Sequence, residues 1–406
     1  MAAQLKRSLG LAECVFYGTG SILGAGIYTL IGKVAGISGN MTWLSFLIAS
    51  VCALLTAFSY AELSTSYPKA GGEYVYAKEA FGPGIGSFLG IIITLNGIIT
   101  GSAVAVGFAG YFNELTGTQL GFIPFAIVGL IFLVNAAGIK QSSFINILFT
   151  VIEVGGLLFV IFSALPDWGT TNIIELPPGG INGVLTASAL AFFAFVGFEE
   201  IVKLSEETIK PEKNIPRALF ITSGIVVIIY LLVSVSSVNA VPFEQLAESE
   251  SPLADIVEKQ YASTGILIIS IIALFSTSNT ILSNMLGASR ILFHMSKETK
   301  LLNAFSAIHA KRRTPVMALL LILIVMGVFT LIGNIETIAR IASVFIFITF
   351  IGVNACVIAL RLKNGLPKGY KVPLSIKRVP VISALGILLT LVLFAYNIIS
   401  LFTADS

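Results

Sequence analysis

The chain has 406 residues, of which 56% are hydrophobic and 11% charged, and its formal net charge is +3. An ordinary soluble domain carries about 25% charged residues, so this chain has too little polar surface to fold in water. A cytosolic enzyme, a disordered scaffold and, at so small a net charge, a nucleic-acid-binding module are excluded.

Met1 to Gly10 is polar and runs straight into an apolar segment, so no cleavable signal peptide is expected. A helix crossing a bilayer needs about 20 apolar residues. On that measure the chain divides into eleven spans: 11–33, 41–67, 84–112, 122–135, 144–165, 181–203, 217–241, 263–295, 315–332, 335–360 and 379–402. The runs are continuous rather than alternating, which excludes a β-barrel. Between the seventh and eighth spans, Val241 to Tyr261 is acidic and partly amphipathic. It reads either as a short helix on the outer surface or as a solvated loop.

Basic residues orient the spans. With the N-terminus in the cytoplasm, every Lys and Arg except Lys33, Lys259 and Arg340 falls in a cytoplasmic segment. This is the positive-inside bias of a multi-pass cell-membrane protein, and the odd span count puts the C-terminus outside. The three cysteines, Cys14, Cys52 and Cys356, lie scattered in apolar runs, and His294 and His309 have no ligand spacing. Neither a disulfide framework, a metal site nor a cofactor is expected.

Two spans are interrupted. The first packs Gly18, Gly20, Gly24, Gly26 and Gly32 into one helix, and the sixth sets Gly197 directly before Phe198, Glu199 and Glu200. Gly18-x-Gly20 is no dinucleotide fingerprint, because Leu23 stands where the third glycine belongs. Gly20 and Gly24 also fit close helix packing of the GxxxG kind. Yet Gly24 and Val196, Met41 and Arg217, and Gly84 and Ser263 are 172, 176 and 179 positions apart. That near-constant offset points to two five-helix repeats, 1–166 and 167–361, followed by a loop and an additional helix, 362–406. Paired broken helices mark a transporter's midplane site. A broken helix offers N–H groups and a positive dipole end to a carboxylate, and free carbonyls to an ammonium. A site with both is shaped for an amino acid.

At these residues the chain resembles the amino acid–polyamine–organocation (APC) superfamily. The glycine-rich Gly20-Ser21-Ile22-Leu23-Gly24-Ala25-Gly26-Ile27 carries the resemblance, as do Tyr60-Ala61-Glu62-Leu63-Ser64 and the first inner loop, Tyr67-Pro68-Lys69-Ala70-Gly71-Gly72-Glu73-Tyr74-Val75-Tyr76. Phe193-Ala194-Phe195-Val196-Gly197-Phe198-Glu199, Asn214-Ile215-Pro216-Arg217-Ala218 and Gly287-Ala288-Ser289-Arg290 extend it. The resemblance implies an all-α, leucine-transporter-like (LeuT) fold with a 5+5 inverted repeat and alternating access. Relatives commonly have twelve helices, and the difference from eleven lies outside the repeat. The resemblance also implies site residues around Gly24. Ala25 and Gly26 amides would meet the substrate carboxylate, and carbonyls of Ile22, Phe193, Ala194 and Val196 its amine. Phe193, beside Phe195, takes the place of an aromatic gate.

Carboxylates at bilayer depth are costly and usually functional. Glu153 lies mid-span, where proton-coupled relatives carry a lysine that stands in for a sodium ion. Three roles are open to it: a proton-coupling site, a carboxyl held protonated by a neighbouring helix, or a sodium ligand. Ser276, Thr277 and Ser278, with Asn279, are the expected partners on the eighth span. Glu199 matches a carboxylate some relatives use near the inner gate. Glu62 and Glu13 sit close to water, Glu336 and Arg340 are spaced to pair, and Asn96 and Thr100 are candidate pocket residues. The expected function is secondary active amino acid transport, with small or medium neutral substrates and proton symport. Exchange of one amino acid or amine for another is the alternative, and a channel or non-transporting receptor is a further one. The partners expected are the amino acid, the proton (or sodium) and the bilayer, with no nucleic acid; oligomeric state is left open.

Overall fold

A computed structural model describes residues 7–117, 121–298, 300–309, 312, 314–332, 334–364 and 369–403. Lys6, Lys311, Arg313 and Lys368, which contribute to the charge bias above, lie outside the described residues. Of the described residues, 83% are helical. The first span is two helices, α1 (Leu11–Ile22) and α2 (Ala25–Ser38). The Glu13 carboxylate accepts the Gly10 N–H (2.9 Å) and caps the start of α1. A 3₁₀ turn then leads into α3 (Thr42–Ser66).

The next element departs from the sequence reading. Residues taken above as an inner loop form α4 (Gly72–Phe81). Ten residues containing Glu73, Lys78 and Glu79 are too short and too charged to register as a span. The helix is nonetheless well formed: Glu73 lies in its first turn and Lys78 in its last, complementing the helix dipole. It buries Tyr74, Val75, Tyr76, Ala77 and Ala80.

Then come α5 (Pro83–Thr116), α6 (Ile123–Ala137) and α7 (Ile139–Ala164). The sixth span is again interrupted: α8 (Gly180–Ala191) tightens into a 3₁₀ turn at Phe192–Phe195, and the chain resumes helix as α9 (Glu200–Lys203). After α10 (Pro211–Ala240), the acidic segment makes a short helix, α11 (Phe243–Glu248). The next helix, α12 (Pro252–Glu298), breaks at Ala262, whose φ is 50°. The acidic segment is therefore two short helices. They pack inward rather than lying free, burying Leu246, Leu253, Ile256 and Val257 completely. Two further apolar helices follow, α13 (Val316–Thr330) and α14 (Ile335–Asn364), then a two-residue hairpin, β1 (Ser375–Ile376) with β2 (Val379–Pro380), and finally α15 (Val381–Thr403).

Among the described residues, eight helical stretches are long and apolar enough to cross a membrane; one of them, Leu11–Ser66, holds α1 to α3. The 15-residue helices α6 and α13 are shorter apolar helices. Large apolar side chains such as Phe122, Leu133, Phe144, Phe162, Ile228 and Leu388 remain more than half exposed. In water such a belt would be a liability; against lipid it is the expected outer face.

Candidate functional site

The two interruptions meet. α1 ends at Ile22, and Leu23 returns its N–H to Thr19 O (2.9 Å). Gly24 then turns the chain at φ −54°, ψ −139°, and α2 starts at Ala25. The first N–H groups of α2, those of Ala25 and Gly26, therefore have no carbonyl a turn behind them. In the sixth span Val196 is extended and Gly197 adopts φ 128°. A Cβ at Gly197 would overlap Ser21 O, one at Gly26 would overlap Ala194 Cα, and one at Gly24 would overlap Thr280 Oγ1. At Gly197 and Gly26 backbone meets backbone, and at Gly24 the Thr280 side chain fills the space a Cβ would take.

Tyr230 of α10 ties the interruptions together. Its hydroxyl lies 2.6 Å from Ile22 O and 2.8 Å from Ala194 O. One hydroxyl has one proton, so it serves one carbonyl at a time. Its ring packs edge-on against Phe195 (5.1 Å between centroids) and Phe46 (5.7 Å). Ile22, Gly24, Ala25, Gly26, Phe193, Ala194, Phe195 and Val196 thus all belong to one locus. The Phe193 carbonyl accepts the Val196 N–H (3.1 Å), closing the 3₁₀ turn. Tyr230 itself escaped the sequence reading. Its signal is a single hydroxyl within Ile225-Val226-Val227-Ile228-Ile229-Tyr230-Leu231-Leu232-Val233.

Beside this locus, α7 and α12 share a polar seam. Glu153 is fully buried. Ser276 Oγ donates to its Oε1, Tyr28 Oη donates to its backbone carbonyl (3.0 Å), and its Oε2 has no partner among the described residues. Asn146 Nδ2 donates to Asn279 Oδ1 (2.8 Å), and Asn279 Nδ2 to Thr150 Oγ1 (3.2 Å). Thr277 and Ser278 are placed otherwise: their hydroxyls donate to carbonyls of their own helix, Ala273 O (2.7 Å) and Leu274 O (2.6 Å). Asn96 Oδ1 and Thr100 Oγ1 on α5 are buried and unpartnered among the described residues. A buried carboxylate thus faces a serine across this seam. Among the described residues no group of three His, Cys, Asp or Glu is set to hold a metal.

Glu199 lies on the other side of the Gly197 turn, fully buried, its Oε2 accepting the Gly197 N–H (2.8 Å). Around it stand Glu200 with Lys203, and Glu73 with Tyr60 Oη (2.9 Å). Burial pushes the Glu73 carboxyl above the ordinary glutamate range, with the Lys203 ammonium pulling against it. Glu207 is likewise pushed up by burial, opposed by Arg290 at 3.0 Å. Partial burial raises Glu206 too, but His294 at 3.2 Å, the Ala70 N–H and Lys297 together outweigh it and hold that carboxyl low. Glu62, expected near water, is instead buried: it takes Arg361 Nε at 2.7 Å on one oxygen, and Arg361 Nη2 and the Val372 N–H (2.6 Å) on the other. Glu336 pairs with Arg340 at 2.8 Å, as its spacing foretells.

On the far side of the interruption, a cleft of about 500 Å³ opens between α2, α5 and α14, with Thr29, Lys33, Asn113, Glu250 and Glu336 on its walls. Thr29 is one helical turn past Ala25, about 6 Å along the axis at 1.5 Å per residue.

A protein-family model for amino acid permeases matches residues 9–405. The chain is 29% identical over 411 residues to the branched-chain amino acid permease BcaP of Bacillus subtilis (strain 168), covering 96% of this chain and 88% of that protein. It is 28% identical to cationic amino acid transporter 4 of Mus musculus, covering 90% of this chain and 62% of the relative. Against the vacuolar cationic amino acid transporter 4 of Arabidopsis thaliana it is 29% identical, covering 90% and 65%. The chain spans less than two thirds of the length of these two cationic transporters.

Proposed function

This chain belongs to the amino acid permease family of the APC superfamily, membrane transporters and not enzymes, and we propose that it carries neutral amino acids into the cell by proton symport. One observation carries the reading: α2 begins at Ala25, against Ala194, beside two carbonyls, Ile22 O and Ala194 O, drawn together by one tyrosine hydroxyl. Donors for a carboxylate and acceptors for an ammonium sit at one buried point. The rings of Phe195 and Phe46 beside Tyr230 suit an aliphatic side chain, and the printed name of the Bacillus subtilis relative supports that class.

In this reading the 5+5 inverted repeat moves about the paired interruptions. The N-terminus is cytoplasmic, the C-terminus outside, and all eleven spans cross the cell membrane. The cleft over Thr29 and Lys33 is the outer approach. The substrate ammonium replaces the Tyr230 hydroxyl at Ile22 O and Ala194 O. Glu153 takes a proton from the outside and passes it inward, its free Oε2 being the protonated atom. One proton moving down ~100 mV supplies about 2.3 kcal/mol, a roughly 50-fold gradient for one-to-one symport. Glu199 is the second coupling carboxylate.

The test is uptake of a labelled amino acid panel into proteoliposomes under an inward proton gradient without sodium, with Glu153→Gln alongside. The expected result is accumulation by the wild type that the variant loses. Accumulation only in preloaded vesicles would establish exchange instead and leave Glu153 a structural carboxyl. Binding without any accumulation would leave the channel or receptor alternative.

A further inference from the structure

The inner end of the molecule buries more negative than positive charge. Glu73 of α4, Glu199 beside α9, and Glu200 and Lys203 of α9 are each no more than 1% exposed. Lys203 pairs with Glu200 and acts electrostatically on Glu73 and Glu199 as well. Three carboxylates therefore share one ammonium. Each keeps one oxygen without a partner among the described residues: Glu73 Oε2, Glu199 Oε1 and Glu200 Oε2. The Tyr76 hydroxyl, buried and within electrostatic reach of Glu73, has no partner there either. On the facing helix α12, a Cβ at Gly287 would overlap the Glu200 carboxylate, so a glycine makes room for it.

The surroundings do not correct the imbalance. Tyr60 of α3 touches Glu73, Tyr17 of α1 feels Glu200, and Cys356 of α14 lies by Tyr76; all three are neutral groups. The Glu207–Arg290 pair next to them cancels its own charge. With every carboxyl ionised the cluster would carry two uncompensated negative charges out of water. Like charges so placed do not both stay ionised, and an isolated buried ion neutralises rather than persists. A proton on any of the unpartnered oxygens turns an orphan acceptor into a donor.

We infer that Glu73, Glu199, Glu200 and Lys203 form a single proton-holding site at the inner ends of α4, α9 and α12, loaded while that end is closed and emptied to the cytoplasm when it opens. The site rests on the proton-driven reading and deepens it: Glu199 titrates not alone but as one of three carboxylates sharing the Lys203 ammonium. Because α9 follows the Gly197 turn directly, the charge of this cluster bears on the position of the lower half of the sixth span. Its members come from segments about 130 residues apart, so separating α4 from α9 exposes the carboxylates and releases their protons.

The test needs no transport. Purified protein in detergent is melted between about pH 5 and pH 9, the interval over which an ordinary glutamate is ionised and a lysine charged. A native state that holds extra protons loses stability as pH rises. The double variant Glu73→Gln with Glu200→Gln leaves one carboxylate opposite one ammonium. Its melting temperature should fall less steeply with pH than the wild type's, by the equivalent of roughly one to two protons. Lys203→Met should steepen the slope. Glu153 contributes equally to wild type and variants, so its share cancels in the comparison. Equal slopes in wild type and the double variant would overturn the site. If the double variant does not fold, infrared spectra of Glu153→Gln decide: a protonated-carboxyl band persisting at neutral pH supports the site, and its absence removes it. A protein that proves to be an exchanger can still show this slope, and one that takes up substrate with protons can lack it, so the two readings fail separately.

Discussion

Tyr230 shows how much one hydroxyl can organise. It holds two carbonyls from different interrupted helices within 2.8 Å, and no other side-chain donor reaches either among the described residues. Tyr230→Phe keeps the ring against Phe195 and Phe46 but leaves both carbonyls unpaired. An unsatisfied buried polar group costs about 1–3 kcal/mol, so a lowered melting temperature is expected. Added substrate should restore more stability to this variant than to wild type, because its ammonium supplies the missing donor. Equal shifts would separate Tyr230 from the substrate site. Gly197 is the second residue on which the locus depends. Gly197→Ala forces an L residue to φ 128° at about 1–3 kcal/mol and drives a methyl into Ser21 O. Near-complete loss of uptake is expected, whereas Gly224→Ala, where an added Cβ meets open space, should be close to wild type.

Among elements, α3 and α14 are fastened by a buried ion pair. Arg361 donates to both Glu62 oxygens and also to Ser375 Oγ (2.6 Å) and Val372 O (3.0 Å), so it clasps the hairpin as well. Removing one partner of such a pair strands a buried charge and costs about 3–5 kcal/mol. Arg361→Ala is expected to melt well below wild type, with Glu62→Ala similar. The double substitution should lose less than the sum of the singles, since it strands neither charge. Strict additivity of the two would show that the pair is not coupled. At the start of the chain, Ser8 and Leu9 N–H groups donate to Glu207 O (2.8 and 3.0 Å), and Ile209 N returns to Leu9 O (2.8 Å). This short bridge anchors the entry to α1 beside the segment that follows α9. The lower parts of both interrupted spans are thereby joined at their far ends as well as at their turns.

At the scale of the whole molecule, the distribution of basic residues predicts which ends of the helices face the cytoplasm. Lys203, Lys210, Lys213 and Arg217 cluster where the sixth and seventh spans join, and Gly169 to Gly180 lies at the opposite end of that sixth span. The native cysteines are all buried, so a single introduced thiol can be read cleanly. Thr171→Cys should react with an impermeant reagent on intact cells, and Lys213→Cys only after permeabilisation. The reverse pattern would invert the topology.

The apolar runs already settle an all-α membrane protein, because a bilayer demands about 20 apolar residues at each crossing. Interruptions near Gly24 and Gly197 were equally legible, since a cluster of glycines in one apolar span and a glycine set before two carboxylates in another are local signals. Tertiary structure alone decided the rest. Helix α4 gives no span signal, being stabilised by burial of Tyr74, Tyr76 and Ala77 against other helices. Ser276 reaches Glu153 while Thr277 and Ser278 turn back on their own backbone, a matter of which face of α12 looks toward α7. Lys203 among Glu73, Glu199 and Glu200 could not be read at all, because partners so far apart in sequence leave no trace in local periodicity. Composition and spacing record the solvent each segment faces; the contacts that satisfy a buried carbonyl or carboxylate exist only once the helices have packed.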